Sequence, residues 1–226
     1  MDKLLNANCE KVYQDLLGVT IAHSFMNKLF VEAPSKDFIE NLKVTHILDS
    51  DWPMCESLES VTGLGLLKKY FSTYTESSFG ELTDNYNVLF IGPGPLLAAP
   101  WESVYTETDK TLFGKSTLDV REMYRKNGLQ INKLHKEPDD HISYECAYIN
   151  FLSLKAVEAF ESEEKEKCCD LIEDMRLFYG LHMKKWVVEF ADRVIENSAT
   201  DFYKGAGWLL KGMIKETSAL LNNMEN

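Results

Sequence analysis

Basic residues are scarce in this chain: 24 Lys and Arg stand against 36 Asp and Glu, for a formal net charge of −12 at pH 7. Binding to phosphate polymers needs clustered cations, so DNA and RNA are not the expected partners, and a cationic peptide suits the field better. Cysteine is limited to Cys9, Cys55, Cys146, Cys168 and Cys169, odd in number and without CxxC spacing. That spacing argues against a disulfide framework or a zinc site and predicts reduced thiols, as in a cytoplasmic protein. Long apolar runs are missing too. The longest, Val88–Ile91 and then Leu96–Ala99, is interrupted by Gly92-Pro93-Gly94-Pro95 and is too short to span a bilayer. The opening residues Met1-Asp2-Lys3-Leu4-Leu5-Asn6 have neither the basic start nor the apolar run of an export signal, so the sequence predicts a protein that stays where it is made.

What is present is apolar residues at helical spacing. Val12, Leu16, Ile21, Phe25 and Leu29 form the stripe of a helix over 9–30 that Pro34 stops. Ser35 caps a second helix through Phe38, Leu42 and Ile47, and residues 49–53 form a turn. Further helical patterns cover 55–70, despite Gly63 and Gly65, and 77–91. A single turn over 100–105 is opened by Pro100, and Thr117 starts a helix that ends at Gly128. Then come 138–160, a helix through Leu171, Met175 and Phe178 closed by Gly180, and two last patterns, one around Trp186, Phe190 and Val194 and one from Phe202 to Leu220. No stretch alternates with period two for long enough to be a strand. The expectation is one all-α domain over 1–226 of about ten helices, with a hinge or linker near 106–117.

The signatures of catalysis fail on geometry. Gly114-Lys115-Ser116-Thr117 resembles the tail of a phosphate loop, but Asp109 stands where its first glycine belongs and no strand precedes it. Gly63-Leu64-Gly65 lacks the third glycine of a dinucleotide site. His23, His46, His135 and His182 are isolated. The densest chemistry lies in Glu137-Pro138-Asp139-Asp140-His141-Ile142-Ser143-Tyr144-Glu145. There Pro138 can occupy the first turn of a helix, with Asp139 or Asp140 capping it. His141 then lies one turn from Glu145, where an imidazolium can sit between carboxylates. His141 and Glu145 alone are too few for a metal site. Asp140, His141 and Glu145 as an acid–base group of a helical enzyme is an alternative that a cavity around His141 would favour.

Three stretches resemble the TorD/DmsD family of redox-enzyme maturation chaperones. They are Tyr86–Gly94 followed by Pro100-Trp101-Glu102-Ser103-Val104-Tyr105; Gly114–Gly128 with Arg121-Glu122-Met123-Tyr124; and Glu137–Ile142 with Glu145. Ala99 departs from the pattern, since members often carry a second proline before the tryptophan. The resemblance implies an all-helical cytoplasmic chaperone without catalysis or cofactor of its own. Its partners would be the twin-arginine signal peptide and the catalytic subunit of a molybdenum-containing oxidoreductase of the dimethyl sulfoxide reductase type, which it would help to fold, load with cofactor and export. Members occur as monomers or domain-swapped dimers. Guanine nucleotides have been suggested as ligands in the family, which leaves a nucleotide- or cofactor-handling helper as a further alternative. Carried onto this chain, the peptide-contacting residues are Trp101, Asp140 and His141, supported by Glu102, Tyr105 and Glu137. That reading requires the Trp101 and His141 segments, forty positions apart, to border one groove.

Overall fold

The computed structural model of the protein describes residues 2–45, 48, 52–109, 112–132, 134 and 136–224, with side chains from Glu10 onward. Among these residues ten α-helices follow one another: α1 (Asp2–Phe30), α2 (Lys36–Val44), α3 (Leu58–Ser72), α4 (Ser78–Phe90), α5 (Ser103–Thr106), α6 (Lys115–Lys126), α7 (Ile142–Glu161), α8 (Lys165–Phe178), α9 (Lys184–Asn197) and α10 (Asp201–Asn223). A π-helical turn, Tyr179–Met183, joins α8 to α9. The expected all-α architecture is what is found. Ile47, the turn at 49–51, His46 and His135 lie outside the described residues, as do 110 and 111 of the expected hinge.

The long helices pair as α1 with α7 and α3 with α10, while α8 covers α7 and α9 covers α10. Between them lies an aromatic core in which Phe178, Trp186, Phe190, Phe202 and Tyr203 are fully buried. Each such ring removes 150–250 Å² from water, roughly, and the edge-to-face contacts of Phe30 with Phe90 and Phe190 add specificity of geometry. Three helices start on short polar caps, the expected Ser35 among them. Ser35 accepts from the Phe38 amide, Ser57 from that of Ser60, and Thr200 from that of Tyr203. Ser57 is itself held from α10, where the Glu216 carboxylate accepts from the Ser57 amide at 3.0 Å and from the Ser60 hydroxyl at 2.6 Å.

Gly63, which lowers the helix propensity of α3, sits where α3 and α10 meet. A Cβ at Gly63 would stand 2.5 Å from the Leu209 amide nitrogen and 2.7 Å from the Gly205 carbonyl oxygen. The close approach of two backbones therefore requires hydrogen at that position. Gly65, two residues on, has open space around it.

Several expected boundaries shift by two or three residues, the start of α6 from Thr117 to Lys115 among them, and two shifts change the role of a residue. Gly180 does not close α8; it lies in the π-helical turn that carries the chain on into α9. One glycine costs a helix only about 1 kcal/mol, and the fully buried Phe178, Met183 and Trp186 on either side hold the rod together. Helix α7 begins at Ile142, not near Pro138, and its cap is His141, whose ring Nδ1 accepts from the Ser143 amide at 3.1 Å. Asp139 and Asp140 are unavailable as caps for α7 because their carboxylates are used elsewhere.

Candidate functional site

Trp101 and His141 face each other across an isolated antiparallel bridge. The Glu102 amide donates to the Asp140 carbonyl at 3.0 Å and the Ile142 amide donates to that of Pro100 at 2.9 Å. These bonds flank the pair, so Trp101 and His141 occupy the non-hydrogen-bonded position, where opposed side chains lie closest and project to one side. Their ring centroids are 5.8 Å apart, edge to face. The carboxylates of their neighbours Glu102 and Asp140 are buried and bonded away from this pair, to His182 and to Ser103 and Thr117, so they lie on the other side of the bridge.

The hidden side is a polar framework. Asp140 is fully buried; one carboxylate oxygen accepts from the Ser103 amide at 2.8 Å, the other from the Thr117 hydroxyl at 2.8 Å. It thereby caps α5 and ties that turn to α6. Asp139, also fully buried, forms an ion pair with Arg121 of α6 at 2.7 Å, and this bond is the main reason the guanidinium pKa is raised further. Glu102 is 2% exposed and lies 2.8 Å from His182 Nδ1. Glu145 is buried and accepts from the Trp186 indole at 3.1 Å. Burial first, then the charges of Glu102 and Asp140, raise its pKa well above the ordinary carboxylate value.

The open side is a groove of about 540 Å³. Val31, Glu32 and Ala33 after α1 form one wall, Tyr86, Asn87 and Phe90 of α4 with Ile91 just after it another, and Leu96, Pro100, Trp101, Glu137, His141, Ser143 and Tyr144 complete it. Two carboxylates line it, and no Lys or Arg among the described residues does. Both act on Tyr86 between them, whose phenol pKa is raised by burial and then by Glu32 and Glu137. Glu137 accepts from the Trp101 indole at 3.2 Å, which fixes carboxylate and ring together. Val31, Ile91 and, beyond the lining, Val88 and Leu97 are exposed apolar side chains nearby in the chain.

Of the six residues singled out from the sequence, the groove thus brings together Trp101, His141 and Glu137. Asp140 and Glu102 stand behind the bridge. Tyr105 is packed at 5.4 Å against Trp186, lies under the Arg193 guanidinium and donates its hydroxyl to the Ala99 carbonyl at 2.8 Å. Asp140, His141 and Glu145 do not converge on one cavity, so the acid–base grouping that adjacency in sequence suggests is not assembled. Glu32 and Tyr86 join the groove without a signal for this role: Glu32 sits in a short loop after α1, and the helical spacing of Tyr86 reads simply as core. At Gly114–Thr117, the Glu107 carboxylate already accepts from the Ser116 amide at 2.7 Å, occupying the start of α6.

The nitrate reductase delta subunit family profile matches residues 57–192. The chain is 30% identical over 178 residues to the Tat proofreading chaperone DmsD of Salmonella typhimurium, covering 79% of this chain and 78% of that one. It is 27% identical over 145 residues to the chaperone protein TorD of Vibrio cholerae, covering 64% of each, and 26% identical over 129 residues to a probable Tat proofreading chaperone DmsD of Haemophilus influenzae, covering 57% and 56%. With the helical fold, the paired Trp101 and His141 segments and these matches together, the chain belongs to the TorD/DmsD family of chaperones that the nitrate reductase delta subunit profile describes.

Proposed function

We propose that this protein is a cytoplasmic chaperone that binds the twin-arginine leader of a molybdenum-containing oxidoreductase in the groove over Trp101 and His141. The observation that carries the reading is the unbalanced charge of that groove. Glu32 and Glu137 have no ion-pair partner among the described residues, beside an indole, an imidazole and an apolar rim. Paired carboxylates are suited to guanidinium groups, and the aromatic faces to the cations and the apolar residues that follow them. A larger cavity of about 810 Å³ behind the bridge is less suited. Of its five carboxylates, Glu102, Glu107, Asp119 and Glu122 already meet His182, the Ser116 amide, Lys115 and Arg125.

In this reading Trp101, His141 and Glu137 contact the leader. Asp140 and Glu102 are positioning residues that hold the bridge in place from behind, and Tyr105 anchors α5. The protein's role toward its client is to shield the leader until assembly is complete. Titration calorimetry with a synthetic leader peptide carrying the arginine pair tests this. Binding is expected with wild type, and replacing both arginines by glutamine is expected to abolish it. Equal affinity for the two peptides would overturn the proposal.

A further inference from the structure

The groove does not end at His141. Its last wall residue, Tyr144, is also the near wall of a second pocket of about 360 Å³, bounded by Leu129, Ile131, Ala147, Tyr148 and Phe151. Among its described lining residues none is charged; Asn27, Gln130 and Asn132 are the polar members beside the tyrosine hydroxyls. The change of polarity across one ring is sharp. On the groove side, Tyr144 is near enough to Glu137 for that charge, after burial, to raise the phenol pKa. On the other side, Tyr144, Ala147, Tyr148 and Phe151 recur at three- and four-residue spacing and so present one face of α7. The Asn27 side chain donates to the Ser143 carbonyl at 2.7 Å and fixes the start of that face against α1.

We infer that this uncharged pocket is the subsite for the apolar stretch of the leader, and that the leader therefore runs from Glu32 and Glu137, over Tyr144, along α7 toward Phe151. The inference rests on the leader-binding reading and adds to it a direction and a register. A cationic segment followed by an apolar one matches a carboxylate-lined groove followed by an uncharged pocket in only one orientation. Helix rise sets the register: His141 to Phe151 spans ten residues, about 15 Å at roughly 1.5 Å per residue. An extended peptide advances about 3.3 Å per residue, so the distance takes four or five positions. The side chains that enter the pocket are those about four to six positions after the arginines.

Two fluorescein-labelled synthetic peptides test this by anisotropy: one with paired arginines and leucines at the fourth to sixth positions beyond them, and one with serines at those positions. The proteins are wild type, Ala147→Trp, which fills the pocket from its floor, and Phe151→Ala, which opens its far end; thermal melts establish that each variant is folded. Wild type is expected to bind the leucine peptide at least tenfold more tightly than the serine peptide. Ala147→Trp and Phe151→Ala are expected to lose most of that preference while binding the serine peptide as wild type does. If the preference survives in both variants, or if leucines shifted to positions ten to twelve bind equally well, the subsite is overturned and leader binding stands. If wild type binds neither peptide, the leader reading itself falls.

Discussion

At the scale of single residues, carboxylates a few positions apart in the chain have separate tasks, and substitution separates them. Glu137 faces the groove. Glu137→Gln keeps an acceptor for the Trp101 indole but removes the charge, so unfolding in urea is expected to be unchanged while leader affinity falls roughly tenfold, about 1.4 kcal/mol. Asp140→Ala should do the reverse at its origin. It leaves the Ser103 amide and the Thr117 hydroxyl buried without their acceptor, a loss of about 3 kcal/mol visible as an earlier urea midpoint without any peptide present. Glu145 contributes one part of the pH dependence. Its pKa is raised in the fold, so folding retains a proton that the unfolded chain releases, and its contribution to stability is greatest below the ordinary value of 4.5 and declines as pH rises above it. Glu145→Gln keeps an acceptor for Trp186 without the ionisable group, and its urea midpoint should fall less than that of wild type between pH 5 and 8. His23 works in the opposite sense. Burial lowers its pKa to about 4, so the unfolded chain takes up a proton that the fold resists, and its contribution to stability is lost as pH drops below 6.5. A midpoint that rose with pH in wild type and not in Glu145→Gln would contradict the sign assigned to Glu145.

At the scale of elements, two glycines of α3 two positions apart predict opposite outcomes from the same substitution. Gly63→Ala gains about 1 kcal/mol of helix propensity but drives a methyl group into the backbone of α10, and separating the two helices costs more than that gain, with a net loss of about 2–4 kcal/mol. Gly65→Ala meets nothing within 4 Å and should raise the melting temperature by the propensity gain alone, up to about 1 kcal/mol. Differential scanning calorimetry of both variants checks the pair. The contrast also shows what sequence periodicity can and cannot reveal. The stripe from Val12 to Leu29 and the cap at Ser35 are local signals, and the helices they predict are present. Gly63 and Gly65 carry the same local penalty, and only the crossing of α3 over α10, more than 140 residues later in the chain, distinguishes them. The start of α7 was illegible for a similar reason. Pro138-Asp139-Asp140 has the composition of a cap, but Arg121, Ser103 and Thr117 draw both aspartates away and leave His141 to cap the helix. The motif residues Trp101, Glu137 and His141 could be singled out from the chain; their convergence, and the addition of Glu32 and Tyr86, depended on long-range pairing that no spacing encodes.

At the scale of the whole molecule, the groove is assembled from parts that the chain order keeps far apart: the loop after α1, the end of α4, the segment through Trp101 and the start of α7. A ligand that touches all four is absent from contact with them once they separate, so its binding energy adds to the folding free energy. At a peptide concentration a hundred times its dissociation constant that addition is about 2.7 kcal/mol. For a chain of this size each kcal/mol corresponds to roughly 2–4 °C, so the melting temperature should rise by about 5–10 °C. Charge sets the second half of the expectation. The attraction comes from Glu32 and Glu137 together with the diffuse field of a −12 chain, and both weaken as the Debye length shrinks from about 10 Å at 0.1 M salt to about 3 Å at 1 M. The peptide-induced rise at fixed peptide concentration should therefore diminish across that range, more for a peptide without its apolar stretch, whose attachment rests on charge alone. A rise of the same size at both salt concentrations would mean that the arginines are not held by these carboxylates, whichever surface the peptide occupied.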